Sequence, residues 1–217
     1  MRKMLEGLRF YQSNVFDRRY RLFSQLVQQQ KPGALFITCS DSRIDPELLT
    51  GSDPGDIFVI RNAGAIVPRF GACDGAVGAE VELGVNALGI RHIVVCGHTR
   101  CAAVRGILFP ESVESMPTLA SWLKNSRSDL SEEELAATDR SVTAPLSAVE
   151  RHVATQLENL KTHPYVAAAM QEGRLEIHGW IYHLENGAVT AYEAAQKQFL
   201  HFEMAYQSLL EEAASKG

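Results

Sequence analysis

The sequence lacks the features on which membrane proteins and nucleic-acid-binding proteins depend. No stretch reaches the ~18 apolar residues of a membrane span, and charged residues interrupt every apolar run of the N-terminal segment 1–9, which therefore does not resemble a signal peptide. The formal net charge is −5, and the Lys and Arg residues are dispersed, so that no basic stripe is present. We therefore expect a soluble, cytoplasmic protein with neither membrane nor nucleic acid as a partner.

Cysteine is scarce as well. Four cysteines in 217 residues are too few for a disulfide scaffold, and in a reducing compartment they indicate metal or thiol chemistry. Cys96 lies within an apolar run and is expected to be an ordinary buried residue, whereas Cys73 has no evident role. Cys39 and Cys101 remain as candidate metal ligands. A chain of this length with 46% apolar residues can bury a core without disulfides.

Short apolar runs alternate with helical patterns along the chain. The continuous runs at 34–38, 57–60 and 92–96 are typical of strands buried on both faces of a parallel sheet. Segment 74–88 carries its apolar residues on one stripe and predicts a crossover helix. Asn-Gly at 186–187, between two alternating segments, predicts an antiparallel edge hairpin. The predicted fold class is α/β, with a mostly parallel central sheet and flanking helices.

The other segments are expected to elaborate a single domain of residues 1–217. Residues 1–31 have apolar residues at helical spacing and end in Lys-Pro-Gly, which predicts a helical N-terminal arm. Residues 111–147 read as a helical elaboration and residues 193–217 as a C-terminal helix. The apolar stripe of the arm is larger than a lone domain would leave exposed, so we expect the arm to wrap a second subunit.

Two motifs carry the chemistry of the sequence, and each follows a predicted strand. The first contains Cys39, Asp41 and Arg43 at alternate positions, and the second contains His98 and Cys101. Alternate residues of extended backbone point to the same side, so one loop supplies a thiolate, a carboxylate and its guanidinium. Ligands of open α/β sheets collect at the carboxyl ends of strands beside a topological switch point. If the two strands are neighbours, the thiols and the imidazole converge.

Two thiolates and one imidazole are a donor set for zinc. They suit Zn²⁺ better than Mg²⁺ or Ca²⁺, with iron and cobalt as alternatives, and three protein ligands with a fourth exchangeable position are typical of catalytic zinc. An isolated His-x-x-Cys is often coincidence, but its combination with Cys-x-Asp-x-Arg is a specific joint signal. The zinc deaminase pattern and a thioredoxin-like Cys-x-x-Cys are both missing. The remaining histidines that show no partner in the sequence are expected in ordinary surface or core positions: His92, His152, His178, His183 and His201.

Together with the segment Phe-Val-Ile-Arg-Asn-Ala-Gly at 58–64, the two motifs resemble those of the β-class carbonic anhydrases, over residues 1–187. Segments 35–39 and 179–182 are most similar to the carboxysomal branch of bacterial enzymes. The resemblance implies one Zn²⁺ per chain, held by Cys39, His98 and Cys101, and reversible hydration of CO₂ to bicarbonate and a proton. It also implies a homodimer, or multiples of dimers, with the active site at the dimer interface. A carboxysome, with its components as partners, is the alternative location.

The resemblance gives catalytic roles to Asp41 and Arg43. Zinc is expected to lower the pKa of a bound water, whose hydroxide attacks CO₂. Asp41 either takes the fourth zinc position in a closed state or pairs with Arg43 and accepts the proton of the hydroxide. Activity should rise toward alkaline pH, because two thiolates cancel the double positive charge of the metal. Such a centre lowers the pKa of bound water less than a zinc held by three histidines does.

Several positions depart from the family pattern. The four near the expected cleft are Asp53 in place of a substrate-contacting Gln of the plant branch, Ala65 in place of a common Asn, Leu83 in place of a frequent Tyr, and Ala102 in place of Gly. An inhibitory anion site of some bacterial relatives has Trp, Arg and Tyr, and the matching residues here are Phe36, Arg61 and Tyr182. Two alternatives stay open: a hydrolase of carbon disulfide or carbonyl sulfide on the same zinc centre, and a zinc-bearing assembly protein with little activity.

Overall fold

The described residues of the computed structural model, 1–72, 75–126, 144–207 and 210–211, contain one six-stranded sheet. The strands are β1 (Ala34–Cys39), β2 (Ile57–Asn62), β3 (His92–His98), β4 (Glu176–Tyr182), β5 (Val189–Glu193) and β6 (Gln198–His201). Their order in the sheet is β2-β1-β3-β4-β5-β6. Strands β2, β1, β3 and β4 are parallel to one another, and β5 and β6 add an antiparallel edge.

Helices connect and cover the strands. They are α1 (Arg2–Phe10), α2 (Tyr20–Gln28), α3 (Pro46–Thr50), α4 (Ala76–Glu82), α5 (Ala102–Leu108), α6 (Pro117–Leu123), α7 (Leu146–Lys161), α8 (Pro164–Gln171) and α9 (Phe202–Ala205). Tyr11–Val15 and Leu83–Ala87 are π-helical, and Asp17–Arg19, Pro110–Val113 and Lys124–Ser126 are short 3₁₀ turns. No helix in the described part of the chain combines the length and apolar character that crossing a bilayer requires.

The chain order creates a switch point between β1 and β3. From β1 the chain moves to β2 on one side and then crosses to β3 on the other side of β1. Both central strands are buried, since their alternate residues Leu35, Ile37, Ile93 and Val95 have no exposed surface. Loops that leave neighbouring parallel strands in opposite directions open a crevice at their carboxyl ends. The motif residues at the ends of β1 and β3 lie there.

One glycine allows α7 to lie directly on the central strands. A Cβ atom at Gly97 in β3 would lie 2.6 Å from a methyl carbon of Val153 in α7. Val149 and Val153 have no exposed surface. A side chain at position 97 would therefore push α7 away from the strand that ends in His98, because buried cores are close-packed and a stiff valine has little room to move.

Most of the expected elements are confirmed, including the parallel strands, the hairpin at Asn186 and the helical arm. The crossover helix keeps its predicted stripe, because Val77, Val81 and Val85 are buried. Within the segment 111–147 that is predicted as a helical elaboration, α6 is helical, and residues 127–143 lie outside the described residues.

The predicted C-terminal helix over 193–217 is wrong at its start. Gln198–His201 pairs with β5 as a strand, and helix begins only at Phe202. Lys197 adopts a left-handed φ of 54°, which turns the chain back toward β5, and the Phe199 ring packs on Tyr192. Tertiary pairing thus overrides the helix propensity of the alanines at 194–195. Residues 208–209 and 212–217 lie outside the described residues.

Candidate metal centre

The ends of β1 and β3 bring two thiols and an imidazole into one buried place. Cys39 is the last residue of β1, His98 is the last residue of β3, and Cys101 precedes α5 as its N-cap. All three side chains are buried, and their ligand atoms lie within 4.8 Å of one another. The two sulfur atoms are 3.9 Å apart. The neighbouring strands thus produce the convergence that the two motifs predict.

The tautomer of His98 leaves a free electron pair in this place. Its Nδ1 lies 2.8 Å from the backbone oxygen of Thr99 and must carry the proton, because a carbonyl oxygen only accepts. In the described residues, Nε2 of His98 is the one buried side-chain nitrogen or oxygen with no hydrogen-bond partner. A buried polar atom without a partner costs free energy, and metal-binding histidines typically donate their other N–H in this way. The residues therefore fit a soft divalent metal such as zinc.

The two thiols favour one negative charge and resist a second. A hydrogen bond from the Cys101 thiol lowers the pKa of Cys39, with smaller contributions from His98 and from the backbone at Gly64. The same hydrogen bond, together with burial, raises the pKa of Cys101. Burial alone would lower the pKa of His98, but the neighbouring Cys39 raises it. A divalent cation among these atoms would remove the resistance to the second thiolate.

Asp41 and Arg43 form a two-pronged ion pair beside the three donors. Arg43 Nε and Nη2 donate to the two oxygens of Asp41 at 2.9 and 2.7 Å, and the Arg43 backbone N–H adds a third hydrogen bond of 3.0 Å. These hydrogen bonds hold the pKa of Asp41 well below its usual range, so the carboxylate is ionised. Its Oδ2 lies 3.8 Å from Nε2 of His98. Arg43 also donates to the backbone oxygen of Arg100 at 3.3 Å and so links the two motif loops.

Arg61 supports the first motif loop from β2. Its guanidinium donates to the backbone oxygens of Cys39, Asp41 and Ile44, at 3.2, 2.8 and 2.8 Å. Three backbone hydrogen bonds thus engage the side chain that the resemblance assigns to an inhibitory anion site. Of the other two residues of that assignment, Phe36 is buried with its ring against Trp180, and Tyr182 pairs with His98 across the β3–β4 ladder.

The four residues that depart from the family pattern lie in different parts of the structure. Asp53 forms an ion pair with Arg19, which precedes α2 of the arm. Ala65 is buried in a turn with a left-handed φ of 54°. Leu83 is exposed at the start of a π-helical turn, and Ala102 is the first residue of α5.

Cys96 lies fully buried inside β3, as expected, and burial raises the pKa of its thiol to about 12.

The structure adds one residue that the motifs do not indicate. Glu185, in the loop between β4 and β5, accepts hydrogen bonds from the Thr99 hydroxyl and from Arg100 Nε, both at 2.7 Å. These two donors lower the pKa of Glu185 to about 2. They form the turn from His98 to Cys101, in which Arg100 has a left-handed φ of 60°. The hairpin turn at Asn186 places the Glu185 carboxylate beside Thr99 and Arg100. The feature of the sequence that indicates this position is therefore the Asn-Gly pair at 186–187, and no metal-binding motif includes Glu185.

Comparison with known proteins decides which family has this geometry. A family model described as carbonic anhydrase matches residues 34–189, which span β1 to the start of β5 and include both motifs. The chain belongs to the carbonic anhydrase family. A carbonic anhydrase of Pseudomonas aeruginosa is 44% identical over 201 residues, which cover 92% of this chain and 91% of that protein.

Solved structures place this carbonic anhydrase in the β class. The structure of the β-carbonic anhydrase CcaA is similar with a TM-score of 0.82 and 40% identity, covering 93% of this chain and 98% of that one. One of two tetrameric β-carbonic anhydrases from Sordaria macrospora has a TM-score of 0.75 and 29% identity, covering 88% of this chain and 95% of that one. The α/β sheet with its antiparallel edge is therefore the β-class fold.

We expect the Glu185→Ala variant to bind zinc more weakly. The change frees the Thr99–Arg100 turn that positions His98 and Cys101, and loss of such outer contacts typically reduces metal affinity by about 10-fold or more. Competition with a chromophoric chelator measures the change. Glu172→Ala is the matched control, because it removes another exposed carboxylate paired with an arginine, Arg174, at 2.6 Å. Equal zinc affinity in both variants would show that the turn keeps its shape without Glu185.

Proposed function

We propose that this carbonic anhydrase hydrates CO₂ reversibly to bicarbonate and a proton at a zinc ion held by Cys39, His98 and Cys101. The observation that carries the proposal is buried Nε2 of His98, which lies within 4.8 Å of the two sulfur atoms and has no hydrogen-bond partner in the described residues. Zinc in such a site supplies a Lewis acid that lowers the pKa of water and so provides a nucleophile near neutral pH.

The chain contributes a positioned acceptor next to that ion. Asp41 is ionised and lies 3.8 Å from His98 Nε2, so it can accept a hydrogen bond from the attacking oxygen and fix the direction of its remaining electron pair. Arg43 uses two of its N–H groups on Asp41 and a further contact on the Arg100 backbone. We infer that this arrangement keeps Asp41 from taking the fourth metal position, which would close the site.

Zinc-loaded protein is expected to accelerate CO₂ hydration in a stopped-flow assay, with activity that rises toward alkaline pH. Cys39→Ala, His98→Ala and Cys101→Ala should each lose most of their zinc and the activity, since two remaining protein ligands hold the metal poorly. Elemental analysis gives the zinc content of each variant.

The same preparation separates the alternatives. Sulfide release from carbonyl sulfide or carbon disulfide without CO₂ hydration would indicate the hydrolase, and full zinc content without either activity would indicate the assembly protein. Full zinc content in any of the three variants would contradict the ligand set.

Substitution of Asp41 and of Arg43 should impair the enzyme in different ways. Asp41→Ala should retain zinc and bind small anions, but lose catalysis by a factor on the order of 10² or more, because the positioning acceptor is gone. Arg43→Ala should retain zinc, lose activity and resist small anions, because the freed Asp41 occupies the fourth position. Arg174→Ala serves as the control for removal of an exposed arginine from an ion pair. Wild-type turnover in Asp41→Ala would reduce Asp41 to a structural partner of Arg43.

We also propose that the chain works as a homodimer or a multiple of dimers. Helix α1 has no buried residue, and its apolar side chains are strongly exposed: Leu5 55%, Leu8 54% and Phe10 60%. Exposed apolar surface of this kind is typical of a protein–protein contact, and the related Sordaria macrospora enzymes are tetrameric. A cytoplasmic or carboxysomal location, and carboxysome components as partners, remain predictions from the sequence.

Sedimentation velocity at micromolar concentration tests the association. The unmodified chain is expected to sediment as a dimer or larger assembly. The double variant Leu5→Glu/Leu8→Glu should shift toward the monomer, because burial of an unpaired charge in an apolar contact is unfavourable in free energy. Lys3→Glu changes charge on the opposite side of α1 and should leave the assembly intact. A stable monomer of the unmodified chain would refute the proposal.

A further inference from the structure

A second group of metal-ligating side chains lies at the opposite end of the sheet. His92 begins β3 and Glu176 begins β4, and the parallel register pairs these two residues directly. His178 follows Glu176 by two residues and so lies on the same face of the sheet. Parallel strands align their amino ends as well as their carboxyl ends, so this cluster is separated from the Cys39–His98–Cys101 centre by the length of β3.

The distances within this cluster resemble those among the ligands of one ion. Nδ1 of His92 lies 3.2 Å from Nε2 of His178, a distance at which the two rings share one hydrogen bond that an ion would replace, and Oε2 of Glu176 lies 3.8 Å from each of these nitrogens. Nitrogen and oxygen ligands about 2.0–2.1 Å from a tetrahedral zinc are about 3.3–3.4 Å apart. At 3.8 Å the carboxylate forms no hydrogen bond to either ring, although it lies next to both. Glu176 is an exposed side chain, so a small rotation brings its oxygen to coordinating distance.

Hydrogen bonds behind His178 permit the tautomer in which its Nε2 binds an ion. The Trp180 indole N–H donates to the Tyr206 hydroxyl at 2.8 Å, and that hydroxyl lies 3.1 Å from Nδ1 of His178. The second lone pair of the Tyr206 oxygen can accept the Nδ1 proton, which leaves the electron pair of Nε2 directed toward His92. Such outer contacts are the usual means of fixing a ligating histidine. Burial and the neighbouring His92 also lower the pKa of His178 and so favour the neutral ring that binds metal.

We propose that His92, Glu176 and His178 form a second binding site for a divalent transition-metal ion. Two imidazoles and one carboxylate suit zinc, nickel, copper or cobalt better than calcium or magnesium. Water completes the coordination, since the side chains of His92 and Glu176 are 49% and 69% exposed. The site lacks a thiolate and binds more weakly than the Cys39–His98–Cys101 centre. An ion there fastens the starts of β3 and β4 to each other.

Nickel is a suitable probe, and the sample is the zinc-loaded 217-residue chain without a polyhistidine tag. Calorimetric titration with Ni²⁺ at neutral pH is expected to show about one saturable site per chain. His92→Ala and His178→Ala should each weaken this binding by at least about 10-fold, because each removes one of three ligands. Tyr206→Phe should weaken it by about 10-fold, because it removes only the outer contact. His201→Ala is the matched control, since His201 also lies beside a carboxylate, Glu203 at 3.7 Å, but has no second imidazole in the pair.

Absorption spectra recorded during the titration show which centre takes the nickel. The proposal requires weak bands without the intense sulfur-to-nickel charge transfer that occupation of the thiolate centre would produce. Absence of saturable binding, unchanged binding in His92→Ala, or charge-transfer bands that grow as zinc is released would each overturn it. The side chain of His92 is 49% exposed and that of His178 17%, so His92→Ala is the milder change, and retained zinc content shows that a variant is folded.

Discussion

The convergence of two thiols and an imidazole at the carboxyl ends of β1 and β3 is the constraint on which the rest of the site depends. A second thiolate is costly, because the hydrogen bond with Cys39, together with burial, raises the pKa of Cys101. The lone pair on His98 Nε2 adds a second unsatisfied group in the same place. A divalent cation satisfies all three donors together. Without the cation, the 3.9 Å contact between the two sulfur atoms is the hydrogen bond that joins two of the donors, so the surrounding protein must hold the three in place.

Three segments far apart in the sequence share this task. Arg61, from β2, holds the loop after β1 through the backbone oxygens of Cys39, Asp41 and Ile44. Glu185, from the β4–β5 hairpin, holds the turn after β3. Arg43 joins the two loops, because it binds both Asp41 and the Arg100 backbone. The same arginine thus orients the Asp41 carboxylate and connects it to the turn that carries His98 and Cys101, so the proposed catalytic geometry and the proposed metal geometry are coupled.

Local patterns in the sequence predict those strands, helices and loops whose conformation depends on residues adjacent in the sequence. The apolar runs predict β1 and β3, and the motif spacing predicts Cys39, Asp41 and Arg43 on one side of a loop. The convergence of Cys39 and His98 depends on which strands are adjacent, and the sequence could only state it as a condition. Strand β6 escapes prediction because its pairing with β5 depends on the left-handed turn at Lys197.

Contacts that depend on strand register are also hidden from the sequence. Glu185 reaches Thr99 only because the hairpin ends beside β3, and these residues are 86 positions apart in sequence. His92 and His178 show no partner in the sequence, whereas the β3–β4 register brings their rings together. The role of a side chain whose contacts are set by strand register can therefore be assigned only when the pairing of the strands is known.

X-ray absorption at the zinc edge tests the central claim most directly, since it counts the atoms bound to the metal without reference to activity. In protein loaded with one zinc per chain, the account predicts two sulfur atoms at about 2.3 Å, one imidazole nitrogen at about 2.0–2.1 Å and one further light atom. Cys101→Ser should show a single sulfur. A spectrum with no sulfur or one sulfur in the unmodified protein, or with two sulfurs remaining in Cys101→Ser, would contradict the assignment of Cys39, His98 and Cys101 as the metal centre.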